Sequence, residues 1–253
     1  MRVWLNDMIL KLCISALAIL PCAVSGATEF SPTPNTQVGE FLNEFVAKRE
    51  KLNDYVAKFT QKKVSRLFNE TETSTGAVYY KRPGRILWDY RLPDVMKVLV
   101  KERVVSIYTE ELEQLEIYDF TEEKKMRGLF LGFDESPKEL QELYDIALVA
   151  PGEGEQARIV KLVPKTEELI SYFASVQLWL RPKDFAVYKI LIVDPEDEGE
   201  TSITLTDIRV NKGIRDALLD IKVPEGTEII RRRPDEQQPL KEKGIEEKTL
   251  PDD

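Results

Sequence analysis

Apolar side chains recur at helical spacing, in steps of three, four or seven, at Phe41, Phe45, Leu52, Val56 and Phe59, with Leu42, Val46 and Tyr55 beside them. This spacing predicts an amphipathic helix from Thr36 to Lys58. From Phe59 onward the period falls to two. The runs "FTQKKVSRLFN", "GAVYYKR", "RILWDYR", "MKVLVK", "RVVSIYT" and "LEQLEIYDF" are separated by Gly, Pro or charged clusters, the pattern of an antiparallel meander. Within "KRPGRILWDYRLP", alternation places Ile86, Trp88 and Tyr90 on one face and Arg85, Leu87, Asp89 and Arg91 on the other. That is a half-buried strand with an aromatic inner face. Arg82, just before it, is on this reading the end of the preceding strand, in water.

A second helical interlude lies in "EEKKMRGLFLGFDESPKELQELYDI", where Ser136, Pro137 and Glu139 supply a hydroxyl cap, a proline at the first helical position and a carboxylate reaching back. The stretch before it is strongly apolar for a connection. Leu129, Phe130, Leu131 and Phe133 are therefore candidates for a mobile lid, beside the plainer reading of ordinary packing. Strands resume through "DIALVAP", "ARIVKLVP", "ISYFASVQLWLRP", "FAVYKILIVD", "TSITLTDIRVN" and "ALLDIKVP". In the third of these, Tyr172, Ala174, Val176, Leu178 and Leu180 share one face, with Phe173 and Trp179 on the other. A sheet apolar on both faces has to be covered on both, and so few helices can cover only one side of about eleven strands. Closing or strongly curving the sheet solves this, and a curved sheet closed by helices can leave a cavity inside.

The chain ends differ from this middle. Arg2 and Lys11 precede the short apolar run "LCISALAIL" and the small-residue stretch "AVSGA", which reads as a signal peptide over residues 1–27, cleaved near Ala27. The run is well short of the ~20 residues that a membrane span needs. Both cysteines, Cys13 and Cys22, fall inside this segment, so the exported chain is expected to hold together by core burial alone. Residues 28–230 form the folded domain, and 231–253, charged and poor in apolar residues, read as a disordered tail.

With 45 acidic and 36 basic residues the net charge is −9, which argues against an extended nucleic-acid surface. Histidine is absent from the sequence, which removes Ser/His/Asp and Cys/His nucleophilic designs and the commonest transition-metal ligand. The acidic stretch "DPEDEGE" lacks the alternating ligand positions of an EF-hand and is read as a hairpin turn. No phosphate-cradling or dinucleotide glycine motif is present. The expectation is binding, with no catalytic residue, no metal and no cofactor.

In their order and spacing these segments resemble the periplasmic outer-membrane lipoprotein carrier family, LolA. The resemblance rests on "FTQ" after the amphipathic helix, the Gly76 strand, "KRPGRILWDYRLP", "KLVPKTEELI", and "NKGIRDALLDIKVPEGTEII" with Asn211, Pro224 and Gly226, spanning about residues 36 to 230. Two departures stand out. "KER" at Lys101 to Arg103 replaces the family's Asp-Gly turn, and Ile221 and Val223 stand where its closing strand carries Phe.

The resemblance implies an α+β, mostly β fold: an incomplete, strongly curved antiparallel β-barrel with a helical lid over a hydrophobic cavity. It implies a periplasmic monomer that takes acylated lipoproteins from an inner-membrane ATP-driven release complex and passes them to an outer-membrane receptor. Arg82 would be a lid latch, bonding lid carbonyls when the cavity is closed, and Ile86, Trp88, Tyr90, Val98 and Val100 would line the cavity or its mouth. Two other readings stay open here: a lipid- or lipoprotein-sensing periplasmic regulatory domain of the same fold, and a carboxylate-based envelope hydrolase.

Overall fold

The computed structural model describes residues 35–120 and 137–232. Helix α1 (Asn35–Arg49) leads into six strands, β1 (Asp54–Ser65), β2 (Glu70–Lys81), β3 (Arg85–Leu92), β4 (Met96–Lys101), β5 (Val104–Thr109) and β6 (Gln114–Asp119). Beyond them come α2 (Pro137–Leu143), β7 (Tyr144–Val149), β8 (Arg158–Pro164), the short α3 (Glu167–Ile170), β9 (Ser175–Leu180), β10 (Val187–Val193), β11 (Gly199–Val210) and β12 (Glu228–Arg232).

The strands form one 12-stranded sheet in the order β12-β6-β5-β4-β3-β2-β1-β11-β10-β9-β8-β7. It is two meanders joined where β1 pairs with β11, antiparallel throughout except that β12 runs parallel to β6. The outermost strands β12 and β7 do not pair with each other, so the barrel is incomplete as expected, with twelve strands rather than about eleven.

The helix expected through Lys58 stops at Arg49. Val38, Phe41, Leu42 and Phe45 give α1 its buried stripe, and from Asp54 the buried positions become Tyr55, Ala57, Phe59 and Gln61, a period of two. Over Leu52 to Phe59 the two periodicities share Phe59, and the small Ala57 hides the strand pattern. Pairing decides the outcome, because β1 sits at the centre of the sheet and bonds β2 on one side and β11 on the other along its length. Pro137 does open α2, with Leu140 buried beneath it.

The concave face and α1 share one core. On the convex face, Leu87 and Leu99 are covered by Ile214 and Leu219 of the irregular stretch after β11, so the second apolar face is buried by chain rather than by helix. Phe173 belongs to the concave core and not beside Trp179, as alternation had suggested. It precedes β9, in a turn where its N–H bonds the Leu169 carbonyl, so strand alternation does not reach it.

Three local features matter below. Gly76 lies opposite Phe59 across the β1–β2 ladder, and a Cβ built there would sit 2.1 Å from the Asp89 carbonyl oxygen and 2.7 Å from the Phe59 ring. The "KER" hairpin keeps regular register, Lys101 facing Val104, by placing Glu102 and Arg103 at φ of 50° and 65°. β12 runs two residues past the tail boundary expected at 230, and Arg232 pairs with the buried carboxylate of Glu116 at 2.6 Å. The signal segment (1–27), the lid candidates Leu129, Phe130, Leu131 and Phe133, and residues 233–253 lie outside the described residues.

Candidate ligand-binding face and its hinge

A helix ends with carbonyls that lack intrahelical partners. Here those following α1 are met by side chains from distant strands. Arg82, in the β2–β3 turn, donates from Nη1 to the Glu50 carbonyl at 2.6 Å, and its backbone N–H bonds the Asn53 carbonyl at 2.8 Å. Asn211, just past β11, donates from Nδ2 to the Lys51 carbonyl at 2.8 Å, while its Oδ1 accepts from the Asn53 and Asp54 amides at 2.8 and 3.3 Å. The buried Asp54 carboxylate in turn accepts from the amides of Lys212 and Gly213 at 2.8 and 3.0 Å. Residues 50–54 are thus a hinge between α1 and the sheet, held by Arg82 on one side and Asn211 on the other.

Beyond the hinge, Ile86, Trp88, Tyr90, Val98 and Val100 all lie on the concave face, each no more than 2 % exposed, within one apolar cluster that also takes in α1. The structure brings these five together. It places exposed Arg82 at their edge, on the hinge. Phe59 anchors the aromatic part, with Trp88 and Tyr90 presenting ring centroids at 5.0 and 4.8 Å, both edge-on. Gly76 makes this cluster possible by leaving room for the Phe59 ring.

Polar atoms on this face are few. Tyr90 donates its hydroxyl to Gln61 Oε1 at 2.9 Å. The indole Nε1 of Trp88 and the Thr201 hydroxyl are buried with no hydrogen-bond partner. An unmet buried donor costs about 1–3 kcal/mol. Where α1 meets the start of β10, an apolar recess of about 30 Å³ opens between Phe45, Leu52, Tyr55, Phe185 and Val187. Phe185 packs against Phe41 and Phe45 there, at 5.8 and 6.4 Å between centroids, so this contact also holds α1 down.

Periodicity alone did not point to Asp54, Gln61 or the role of Asn211. Their contacts are side-chain bonds between segments far apart in sequence, which leave no periodic signal. Among the described residues no group of three or more acidic side chains converges as a metal site would, and no helix is long and apolar enough to cross a membrane.

Burial raises the tyrosine hydroxyls of this region. Tyr55, with Tyr80 beside it, and Tyr90, with Glu72 nearby, are both pushed well above the usual range. Burial and the adjacent Glu116 carry Tyr118 to about 12. An unfolded tyrosine loses its proton near ~10. Above that pH the folded state keeps protons that the unfolded chain releases, so stability is complete below it and declines as pH rises. For Tyr55 and Tyr90 the decline should approach about 1.4 kcal/mol per pH unit per residue. Urea denaturation from about pH 8 to about pH 12, with tyrosinate absorbance read alongside, checks this. A flat stability across the alkaline range would contradict the burial of these hydroxyls.

An open antiparallel sheet with an apolar concave face, overlaid by a helix pinned at a polar hinge, defines a class: half-closed β-barrels with a helical cover. The sequence profile of "Outer membrane lipoprotein carrier protein LolA" matches residues 50–222, and the chain belongs to that family. Among its relatives, the outer-membrane lipoprotein carrier protein of Hahella chejuensis is 26% identical over 182 residues, 71% of this chain and 83% of that one. The protein of the same name from Azotobacter vinelandii is 22% identical over 205 residues, covering 81% and 94%. A similar solved structure, an uncharacterized conserved protein from Thermus thermophilus, aligns at TM-score 0.48 and 16% identity over 75% of this chain and 98% of its own.

Proposed function

We propose that this protein is a periplasmic carrier that holds lipoproteins by their acyl chains. It takes them from an inner-membrane ATP-driven release complex and delivers them to an outer-membrane receptor. The observation that carries the reading is the contiguous apolar face of Ile86, Trp88, Tyr90, Val98 and Val100 lying under a helix whose exit is pinned by Arg82. Family membership and the names of the relatives support the cargo class.

The chemistry needed is reversible burial. Each methylene moved out of water gains about 0.8 kcal/mol, so several acyl chains on an open apolar face would be bound too tightly to hand on. Closure of α1 must therefore compete with cargo. In the closed form α1 puts Val38, Phe41, Leu42 and Phe45 against the face that hydrocarbon would occupy, and the Arg82–Glu50 bond favours that form. Guanidinium suits the task because it stays charged and its donors are rigidly arranged. The donor complex supplies the energy for loading, and no catalytic group is needed.

Co-purification from an envelope extract with mass spectrometry tests the reading. Acylated polypeptides should be recovered on the carrier, and recovery of none would end it. Arg82→Leu tests the latch. A solvent-exposed hydrogen bond contributes about 0.5–1.5 kcal/mol, so its loss should shift the open fraction, tighten lipid retention and slow transfer to the receptor by about two- to tenfold. Transfer at the unmodified rate would leave Arg82 as a surface residue of the turn.

A further inference from the structure

Trp88 lies in mid-strand on the concave face, facing Val78 of β2 on one side and Val98 of β4 on the other, with the Phe59 ring edge-on against it. The side chain is fully buried, and its indole N–H has no partner. Tyr90, two residues along the same face, satisfies its hydroxyl on Gln61. Of the two aromatics that lean on Phe59, only Trp88 leaves its donor unmet.

Buried donors are almost always matched, and an exception calls for an explanation in function. A resident water is a poor one, because a buried water needs two to four polar partners and Trp88 is flanked by Val78, Val98 and Phe59. What fits is a ligand that is hydrocarbon nearly everywhere and carries one acceptor. A carbonyl oxygen at the head of a fatty acyl chain has that form. It could come from an ester or from an amide linkage.

Resting on the carrier reading above, we propose that Trp88 Nε1 is a carbonyl-reading donor, hydrogen-bonding the acyl linkage of bound cargo and so fixing how far the chains enter. Hydrocarbon burial supplies affinity, and this bond supplies register. A chain with no carbonyl would enter without a stop and leave the indole unmet.

The experiment compares dipalmitoylglycerol with its diether and its diamide counterparts, all three carrying the same two sixteen-carbon chains, as ligands of the full chain. Binding is measured together with the indole N–H resonance of Trp88, assigned by its disappearance in Trp88→Phe. The diester or the diamide, whichever supplies the oxygen, should move that resonance downfield and bind on the order of fivefold tighter than the diether. In Trp88→Phe the preference for a carbonyl-bearing ligand over the diether should vanish, whatever the variant's overall affinity. Equal binding of the three by the unmodified protein, with the indole resonance unmoved, would overturn the donor role and leave the carrier reading intact. Binding of none would instead count against the carrier reading itself. The resonance is read on the unmodified protein, so the proposal does not depend on the variant folding.

Discussion

Gly76→Ala should cost at least about 3 kcal/mol, because the added methyl has nowhere to go. The Cβ would stand 2.1 Å from the Asp89 carbonyl oxygen, inside any permissible contact, and 2.7 Å from the Phe59 ring. Overpacking by a methyl costs about 1–3 kcal/mol when side chains can give way. Here the nearer obstacle is the backbone of β3, fixed by ladders to β2 and β4, and it can yield only by displacing a strand. The β2–β3 register already shifts between Thr75 and Gly76, so there is little slack left to absorb the change. Urea denaturation should show a large fall in midpoint, or the variant should fail to accumulate in soluble form. Adding Phe59→Leu removes the ring but not the carbonyl, so the double variant should not recover. A Gly76→Ala protein within about 1 kcal/mol of the unmodified one would mean that β2 and β3 do not approach as described.

The consequence reaches the concave apolar face. Phe59 lies over Gly76, and Trp88 and Tyr90 lean edge-on against Phe59. A shift of β3 would therefore move the two aromatics on which the proposed carrier most depends. The glycine is a structural condition for the apolar face, and stability and lipid binding should fall together.

How much of this was legible beforehand depends on the kind of interaction involved. Alternation placed Ile86, Trp88 and Tyr90 on one face, because a strand's side-chain period is fixed at two whatever it packs against. Pro137 marked a helix start, because its fixed φ suits that position. Two apolar faces in one sheet implied curvature. The start of β1 was not legible, since Leu52, Val56 and Phe59 mimic a helical repeat and only pairing with β2 and β11 settles the matter. The cover over Leu87 and Leu99 was not legible either, because the stretch bearing Ile214 and Leu219 has no period. Arg82 stood out through resemblance alone. Its contact with Glu50 depends on a turn arriving beside a helix end, a three-dimensional coincidence.

Asn211→Ala is expected to loosen the whole hinge. The side chain makes three bonds, accepting from Asn53 and Asp54 and donating to Lys51, and the residue sits at a φ of 53°. Asparagine tolerates that left-handed conformation, while for alanine it costs roughly 1 kcal/mol. Three partly solvated bonds at the low end of the usual range bring the total to about 2–3 kcal/mol. Asn211→Gly should recover only the backbone part, about 1 kcal/mol, and this difference separates strain from lost bonding. Amide exchange in residues 41–52 should quicken in both variants, because the Lys51 carbonyl and the Asn53 amide lose the partner that ties α1 to the sheet. Arg82 holds the same five-residue hinge from its other side, so Arg82→Leu and Asn211→Ala should not be additive. A coupling of about 0.5 kcal/mol or more is expected from a double-mutant cycle. Strict additivity, with exchange in α1 unchanged, would show that the two side chains hold separate pieces of chain and that there is no common hinge.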